Sequence, residues 1–222
     1  LDNFGRLFTQ QNFGLYIINS IFLSSMFTIL VVSLSSLGGF ALSKYEFRGK
    51  KPLMIVMLAT MLLPSQVLLP SSYELIYHFG WLNSYLAILI PGAVSVFGMF
   101  LFMQAMRGVP DELLQAGRVD GCSEFRLWWE IALPVVRPMI GAYTLMSFLA
   151  SWNSFLWPLI ILSSSDKWTI PIGIAGFTTQ TGTQWQLLMA ACVMTIAPVV
   201  IVVAIAQRPL VAAIGAGAFG GR

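Results

Sequence analysis

Long uncharged stretches dominate the pattern of this chain. Five of them, containing 37, 22, 32, 28 and 40 residues, separate its charged positions. About 20 apolar residues span the hydrocarbon of a bilayer as a helix, so each stretch can hold one span. Apolar runs such as 88–90 and 199–203 do not alternate with polar residues, which argues against strands. We predict spans over about 16–43, 52–70, 84–106, 138–162 and 185–207.

Composition supports a membrane protein. Of the 222 residues, 57% are hydrophobic and only 9% are charged, and the mean hydropathy is +0.80. A soluble domain carries about a quarter charged residues, and a disordered chain is rich in charge, so both classes are excluded. The fold class is therefore all-α, a polytopic transmembrane helical bundle forming one domain over 1–222.

The distribution of basic residues predicts the orientation. Ten Lys and Arg residues fall in segments 44–51, 107–137 and 208–222, whereas only Arg6 and Lys167 fall on the other side. Because basic residues favour the cytoplasmic side, those three segments, including the C-terminal tail, are predicted to be cytoplasmic. We interpret the net charge of +3 as a topology signal and not as evidence of nucleic-acid binding. Five spans place residue 1 outside, and we expect an upstream span to be missing.

Segment 107–137, here called the inner elbow, is too highly charged for a simple connector. Its nine charged residues accompany two predicted short helices. The first opens at Pro110 and stops at Asp120–Gly121, and the second is capped by Ser123 and ends at Pro134. The residues predicted to share the apolar face of the second helix are Phe125, Trp128, Trp129 and Ala132. From chemistry alone, this elbow could dock a partner, pack on its own bundle or lie among lipid headgroups.

The sequence of the elbow also resembles a known motif. The run Gln-Ala-Gly-Arg-Val-Asp-Gly-Cys at 115–122, followed by Ile-Ala-Leu-Pro at 131–134, is similar to the EAA loop. That loop marks the membrane permease subunits of binding-protein-dependent ABC importers. The matching residues are Asp120, Gly121, Ile131, Leu133 and Pro134, whereas Gln115, Gly117 and Cys122 depart from the Glu, Ala and Ala of the motif.

The rest of the chain resembles the carbohydrate branch of that family, the maltose-type permease pair. The similar stretches lie at 19–20, 39–44, 47–50, 109–112, 151–158 and 207–208, followed by the Gly-rich tail. The resemblance implies a MetI-like helical fold in the bacterial inner membrane and transport of a sugar or oligosaccharide. It also implies four kinds of partner besides membrane lipid: a second related permease, an ABC ATPase dimer, an extracytoplasmic solute-binding protein and the sugar itself.

The resemblance assigns roles to two segments. The coupling residues that would contact the ATPase are Gln115, Ala116, Gly117, Asp120, Gly121, Cys122, Ile131, Leu133 and Pro134. The outer loop 163–184 would contact the binding protein, with Ile172, Gly173, Thr178 and Gln180 as contact residues, unless it is a lipid-edge loop. The chain is not expected to be an enzyme or to hold a cofactor, since ATP and Mg would bind to the partner ATPase.

Polar residues within the predicted spans are candidates for lining a substrate pathway. They are Gln66, Ser95, Trp152, Asn153 and Ser154, although packing between helices is the commoner role of such residues. No Asp, Glu, Lys, Arg or His lies inside a predicted span, which favours a neutral solute.

Two other classes of function fit the sequence less well. The sequence has no phosphate loop with its lysine, so the work of transport must come from a partner unless the chain is a self-contained secondary carrier or channel. A carrier would need inverted repeats or an intramembrane charge, and neither is visible. An integral-membrane enzyme would need a catalytic constellation, and the single histidine, His78, offers none, nor a metal cluster.

Overall fold

The computed structural model describes residues 2–10, 12–179 and 182–219, with side chains at 4–9, 12–178 and 184–204. The described backbone is almost entirely helical. In chain order the helices are α1 (Asp2–Gln10), α2 (Phe13–Lys44), α3 (Lys50–Thr60), α4 (Leu69–His78), α5 (Leu86–Gly92), α6 (Val96–Met106), α7 (Asp111–Val119), α8 (Glu124–Arg126), α9 (Leu133–Val135), α10 (Arg137–Trp152), α11 (Leu156–Ile161), α12 (Ile170–Ala175) and α13 (Trp185–Phe219).

Three short elements and one ribbon complete the backbone. Ser65–Leu68 and Ser165–Lys167 form 3-10 turns, and the π-helical segment Leu127–Ala132 joins α8 to α9. Strands β1 (Thr178–Thr179) and β2 (Gly182–Thr183) pair antiparallel, with Thr178 opposite Thr183. The predicted helical fold class is confirmed, and the outer loop 163–184 contains a helix and a ribbon of its own.

Two described helical stretches, Phe13–Lys44 and Trp185–Ala204, are each long and apolar enough to cross a membrane. Three further helix pairs meet the same test only as bent pairs, so the described residues hold between two and five candidate spans. The predicted five spans correspond to the upper figure. The last helix also differs from its predicted end, because α13 continues through Pro209 to Phe219 where we predicted a separate tail.

Three of the predicted spans are interrupted in the structure. Over 84–106, α5 ends at Gly92 and α6 begins at Val96, and the two helices are bent by 45°. The span predicted over 52–70 is not one continuous helix, since α3 ends at Thr60 and a 3-10 turn begins only at Ser65. Pro64 explains the gap, because proline lacks an N–H and disfavours helical backbone in the residue before it. Over 138–162, α10 ends at Trp152 and α11 begins at Leu156, so this predicted helix is also broken.

The chain divides into two compact units. The first comprises the described residues of Leu1–Thr28, Leu68–Pro91 and Leu145–Gln207. Its apolar core includes Phe13, Tyr16, Trp152 and Ile170, and the ring of Trp152 stacks on Phe148 at a centroid distance of 5.8 Å.

Side chains of α2 position the outer segment of this first unit. The buried amide of Asn19 donates from Nδ2 to the carbonyls of Asp166 and Trp168, each at 2.9 Å. Ser20 Oγ accepts a hydrogen bond from the backbone N–H of Ile170 at 2.8 Å. These bonds attach the start of α12 and the residues before it to the N-terminal part of α2.

The second unit comprises Ile29–Val67, Gly92–Thr144 and the described part of Arg208–Arg222. Within it α2 lies very close to α6, since a Cβ added to Gly39 would be only 2.5 Å from Phe102 Cβ. The ring of Phe102 in turn meets Tyr143 of α10 edge-on at 5.6 Å. The second unit also contains the whole inner elbow.

Candidate functional site

The first helix of the inner elbow, α7, has well-formed ends. Pro110 is its extended N-terminal residue, and Asp111 and Glu112 lie in the first turn, where acids interact favourably with the helix dipole. At the other end Gly121 has φ of +80°, and its N–H donates to Arg118 O at 3.0 Å. Cys122 N–H reaches Gly117 O at 2.9 Å, which completes a Schellman motif. The predicted helix and its glycine stop are confirmed.

The second helical stretch of the elbow runs from Glu124 to Val135 and contains a π-helical segment. Ser123 caps it, with Oγ accepting from Arg126 N at 3.4 Å. The predicted apolar face is partly wrong. Trp128 and Ala132 are buried as expected, but Phe125 is 62% exposed and Trp129 59% exposed.

The π-helical segment explains this difference. Its i→i+5 hydrogen bonds place more residues in each turn than an α-helix has, so α-helical spacing no longer identifies one face. The two fully buried residues, Leu127 and Ala132, are accordingly five positions apart. The predicted stop at Pro134 falls one residue before the observed end at Val135.

Close packing holds the two parts of the elbow together. Gly117 of α7 is buried, and an added Cβ would lie 2.5 Å from Leu127 Cδ2 and 2.8 Å from Ile131 Cδ1. Alanine, which the EAA motif has at this position, could fit only if those methyl groups moved. The departure from the motif at Gly117 is therefore matched by an unusually close approach of the neighbouring helix.

Charged groups add a second connection between the two parts. Arg118 donates to Glu124 from Nε at 2.9 Å and from Nη2 at 3.2 Å, and the hydroxyl of Tyr45 donates to the same carboxylate. The Arg118 guanidinium, followed by the Tyr45 hydroxyl, lowers the pKa of Glu124. Burial, followed by the Glu124 carboxylate, raises the pKa of Tyr45.

Lys44, the last residue of α2, reaches the start of the elbow. Its Nζ lies 2.7 Å from Asp111 Oδ1 and donates to Val109 O at 2.5 Å. The Lys44 side chain is only 6% exposed. Neither Lys44 nor Tyr45 was among the predicted site residues, because no spacing rule pairs positions 67 and 79 residues apart.

The predicted coupling residues divide by exposure. Gln115, Ala116, Asp120 and Gly121 face solvent, Cys122, Ile131, Leu133 and Pro134 are partly buried, and Gly117 is buried. The exposed part of the elbow also carries apolar side chains, since Val119 is 87%, Phe125 62% and Trp129 59% exposed. An exposed apolar surface on a well-packed elbow is typical of a protein-docking site.

The predicted pathway residues occupy different environments. Trp152 is 2% exposed within the apolar core of the first unit, so the expectation that it lines an open route is wrong for this structure. Asn153 and Ser154 follow it in the same unit, and Asn153 Nδ2 donates to Leu149 O at 2.8 Å. In the second unit, Gln66 is exposed, and Ser95 caps α6 by accepting from Gly98 N at 3.1 Å.

The predicted binding-protein contacts need a similar correction. Ile172 and Gly173 are buried in the first unit, with Gly173 packed against the ring of Tyr16, so neither can form part of an outer contact surface. Thr178 is exposed on β1. Gln180 lies outside the described residues.

The helical fold and the candidate spans are those of an integral membrane protein, and the exposed elbow suits a subunit that docks onto a partner. Residues 33–215 match the family model described as binding-protein-dependent transport system inner membrane component. The chain belongs to this family.

Individual relatives agree with that assignment. The chain is 36% identical over 220 residues to the arabinooligosaccharides transport system permease protein AraQ of Halalkalibacterium halodurans, covering 98% of this chain and 78% of that protein. It is 33% identical over 198 residues to the sn-glycerol-3-phosphate transport system permease protein UgpE of Yersinia pestis, covering 88% and 70%.

A solved structure has the same fold. A crystal structure of a bacterial ABC transporter involved in the import of the acidic polysaccharide alginate superposes with a TM-score of 0.84 at 22% identity, covering 93% of this chain and 78% of that one. Membership of the family makes this chain a multi-pass inner-membrane permease without a cofactor of its own. It functions with a binding protein, and ATP is hydrolysed by a partner ATPase.

Proposed function

We propose that this permease forms half of the pathway for a neutral sugar or oligosaccharide, with a second related permease forming the other half, and that its inner elbow docks onto the ATPase. The observation that carries the docking proposal is the elbow itself. Its fold is fixed by a Schellman motif and by packing at Gly117, while Val119, Phe125 and Trp129 remain exposed.

The substrate class is supported by the relatives and by the charge pattern. The name of one relative specifies arabinooligosaccharides, and the name of another specifies sn-glycerol-3-phosphate, which is anionic. The uncharged stretches of this chain contain no lysine or arginine to hold an anion within the bilayer. A neutral oligosaccharide bound through hydroxyl groups and backbone carbonyls fits this composition better.

The interruption after α3 supports pairing with a second permease. Helical structure stops at Thr60, and Leu62 beyond it is 84% exposed in this chain. Broken backbone is tolerated at membrane depth only where protein or a water-lined cavity surrounds it. A neighbouring permease would supply that cover, and Gln66 on the following turn would face the shared pathway.

Two glycines give a matched test of docking. Gly121 in the elbow and Gly49 in the other inner loop both have left-handed backbone, with φ of +80° and +93°, and neither has an atom within 4 Å of an added Cβ. A side chain therefore costs about 1–2 kcal/mol of backbone strain at either site and meets no internal obstacle. Only at Gly121 would it project into the proposed interface.

The experiment compares Gly121→Arg with Gly49→Arg in the importer co-expressed with its ATPase and second permease. We expect both variants to insert into the membrane, but only Gly121→Arg to lose the ATPase on affinity purification. Equal retention of the ATPase by both variants would refute docking at this elbow. If the purified chain alone moved solute without nucleotide, it would be a secondary carrier instead.

The substrate proposal is tested on the binding protein. Calorimetric titration with arabinotriose and with sn-glycerol-3-phosphate compares a neutral sugar with an anion. Heat of binding for the sugar alone agrees with the proposal, whereas binding of the phosphate alone contradicts it.

A further inference from the structure

The C-terminal end of α2 is attached to both parts of the inner elbow. Lys44 reaches Asp111 and the Val109 carbonyl at the start of α7, and Tyr45 reaches Glu124 at the start of the second helical stretch. Lys44, the last residue of α2, and Tyr45, which follows it, thus contact both parts of the elbow. We call this pair of contacts the α2 tie.

Chain connectivity makes the tie necessary if α2 is to follow the elbow. The elbow continues directly from α6 at one end and into α10 at the other, so both of those helices receive its movement through the backbone. At the second junction Glu124–Val135 and Arg137–Trp152 meet at 88°. No backbone link of comparable length joins α2 to the elbow, since Lys44 and Asp111 are 67 residues apart.

We propose that Lys44 and Tyr45 are positioning residues that couple α2 to movements of the elbow. The inference rests on the proposed docking of the ATPase, because docking supplies the force. The burial of Lys44 indicates that it contacts other parts of this chain and not a partner. Its side chain is 6% exposed, whereas that of its partner Asp111 is 71% exposed. A side chain covered to that extent cannot be a main contact of the ATPase.

The second unit can pass the movement onward from α2. Five residues before Lys44, the buried Gly39 lets α2 lie directly against α6, where an added Cβ would be 2.7 Å from the backbone nitrogen of Met103. The helices α2 and α6 are therefore held together at two levels, by packing at Gly39 and by the tie at Lys44. With both in place, α2, α6 and the elbow move as one body.

The primary measurement is a distance between two spin labels in the assembled importer. Labels at Ala41→Cys on α2 and Glu112→Cys on α7, both exposed positions, report on the two elements that the tie joins. The two native cysteines, Cys122 and Cys192, are replaced by serine. Electron–electron distances are compared without nucleotide and after trapping with Mg-ATP and vanadate, so no transported solute is needed.

With the tie intact, we expect the label distance to stay the same in both states. In Lys44→Met it should change between the states by about 2 Å or more, the scale of helix shifts at interfaces. Lys44→Arg should restore the constant distance, because arginine keeps the charge and donors. Glu46→Gln is the matched control, since it removes a 2.8 Å ion pair with Lys50 that does not reach the elbow.

A functional readout accompanies the distances. A coupling free energy between two sites typically corresponds to a change in affinity of about 5- to 150-fold. Within that range, we expect Lys44→Met to reduce about tenfold the stimulation of ATPase activity by the importer's own binding protein loaded with arabinotriose. The ATPase should remain bound in this variant.

The outcomes separate this inference from the proposed function. A constant label distance in Lys44→Met, with the ATPase still bound, overturns the tie while docking stands. Retention of the ATPase by Gly121→Arg overturns docking, and with it the source of the force on which this inference rests. If Lys44→Met does not accumulate, Tyr45→Phe decides, because it removes only a hydroxyl group: an unchanged distance in that variant overturns the inference, and a shift supports it.

Discussion

Gly39 allows α2 to lie closer to α6 than any residue with a side chain would permit. A Cβ added there would be 2.5 Å from Phe102 Cβ, 2.7 Å from Met103 N and 2.9 Å from the Phe102 carbonyl carbon. Two of these atoms belong to the backbone of α6, so a rotamer change cannot relieve the overlap. Because carbon atoms pack at about 3.5–4.0 Å, Gly39→Ala must move the helices apart by about 1 Å.

Two opposing effects set the magnitude. Replacing glycine by alanine in a helix contributes about 1 kcal/mol of stability, whereas overpacking a core costs about 1–3 kcal/mol. Since the overlap involves backbone atoms, the upper part of that range applies, and we expect a net loss of about 1–2 kcal/mol. For a chain of this size that corresponds to a Tm lower by about 2–8 °C.

The neighbouring glycine is the matched control. At Gly38 an added Cβ would meet only the side chain of Met99, with Sδ at 3.0 Å and Cγ at 3.1 Å. A methionine side chain can adopt another rotamer, so Gly38→Ala should leave stability unchanged or raise it slightly. Thermal unfolding of both variants in detergent, followed by circular dichroism, tests the difference. Equal Tm values for the two alanine variants would refute the packing argument.

Two further predictions concern polar contacts in the two units. Asn19→Ala removes both hydrogen bonds to the Asp166 and Trp168 carbonyls, which should lower the stability of this segment by about 1–3 kcal/mol. We expect faster proteolysis within 163–184, and an unchanged cleavage rate would contradict this prediction. The pKa of Glu124 is lowered below its ordinary 4.5 on folding, so its ion pair stabilises the protein above about that pH and is lost as the pH falls through the folded value. The acid side of the stability–pH curve should therefore flatten in Glu124→Gln, and an identical curve would show that the carboxylate contributes nothing.

Local signals in the sequence were sufficient to predict α7 and its end. Pro110, the acids after it and Asp120–Gly121 each act through backbone conformation or the dipole of their own helix, so no distant contact is needed to interpret them. The uncharged stretches likewise predicted five spans, which is the upper figure that the described helices allow. By themselves they do not show the breaks after Thr60, Gly92 and Trp152, because apolar composition is the same whether a helix is continuous or interrupted.

The predictions that were wrong concern residues whose environment depends on structure that local sequence does not reveal. Trp152 carries a polar group in an apolar span, which is equally compatible with a pathway and with a core. Its place is decided by contacts with residues such as Phe13 and Ile170, far away in sequence. Phe125 and Trp129 were misassigned because the π-helical turn, which changes the face, has no single-residue signal.

The contacts that stiffen the elbow are not of equal strength, and their exposure ranks them. The Arg118–Glu124 ion pair is 40% and 51% exposed, and exposed pairs contribute about 0–1 kcal/mol. Packing at Gly117 and the burial of Leu127 and Ala132 are independent of salt and larger, since burying one aliphatic side chain contributes about 1.5–3 kcal/mol. The shape of the elbow is therefore maintained mainly by packing. Lys44 differs from the exposed pair because its ammonium is shielded from water and salt, so the connection from the elbow to α2 should persist at ionic strengths that weaken the Arg118–Glu124 pair.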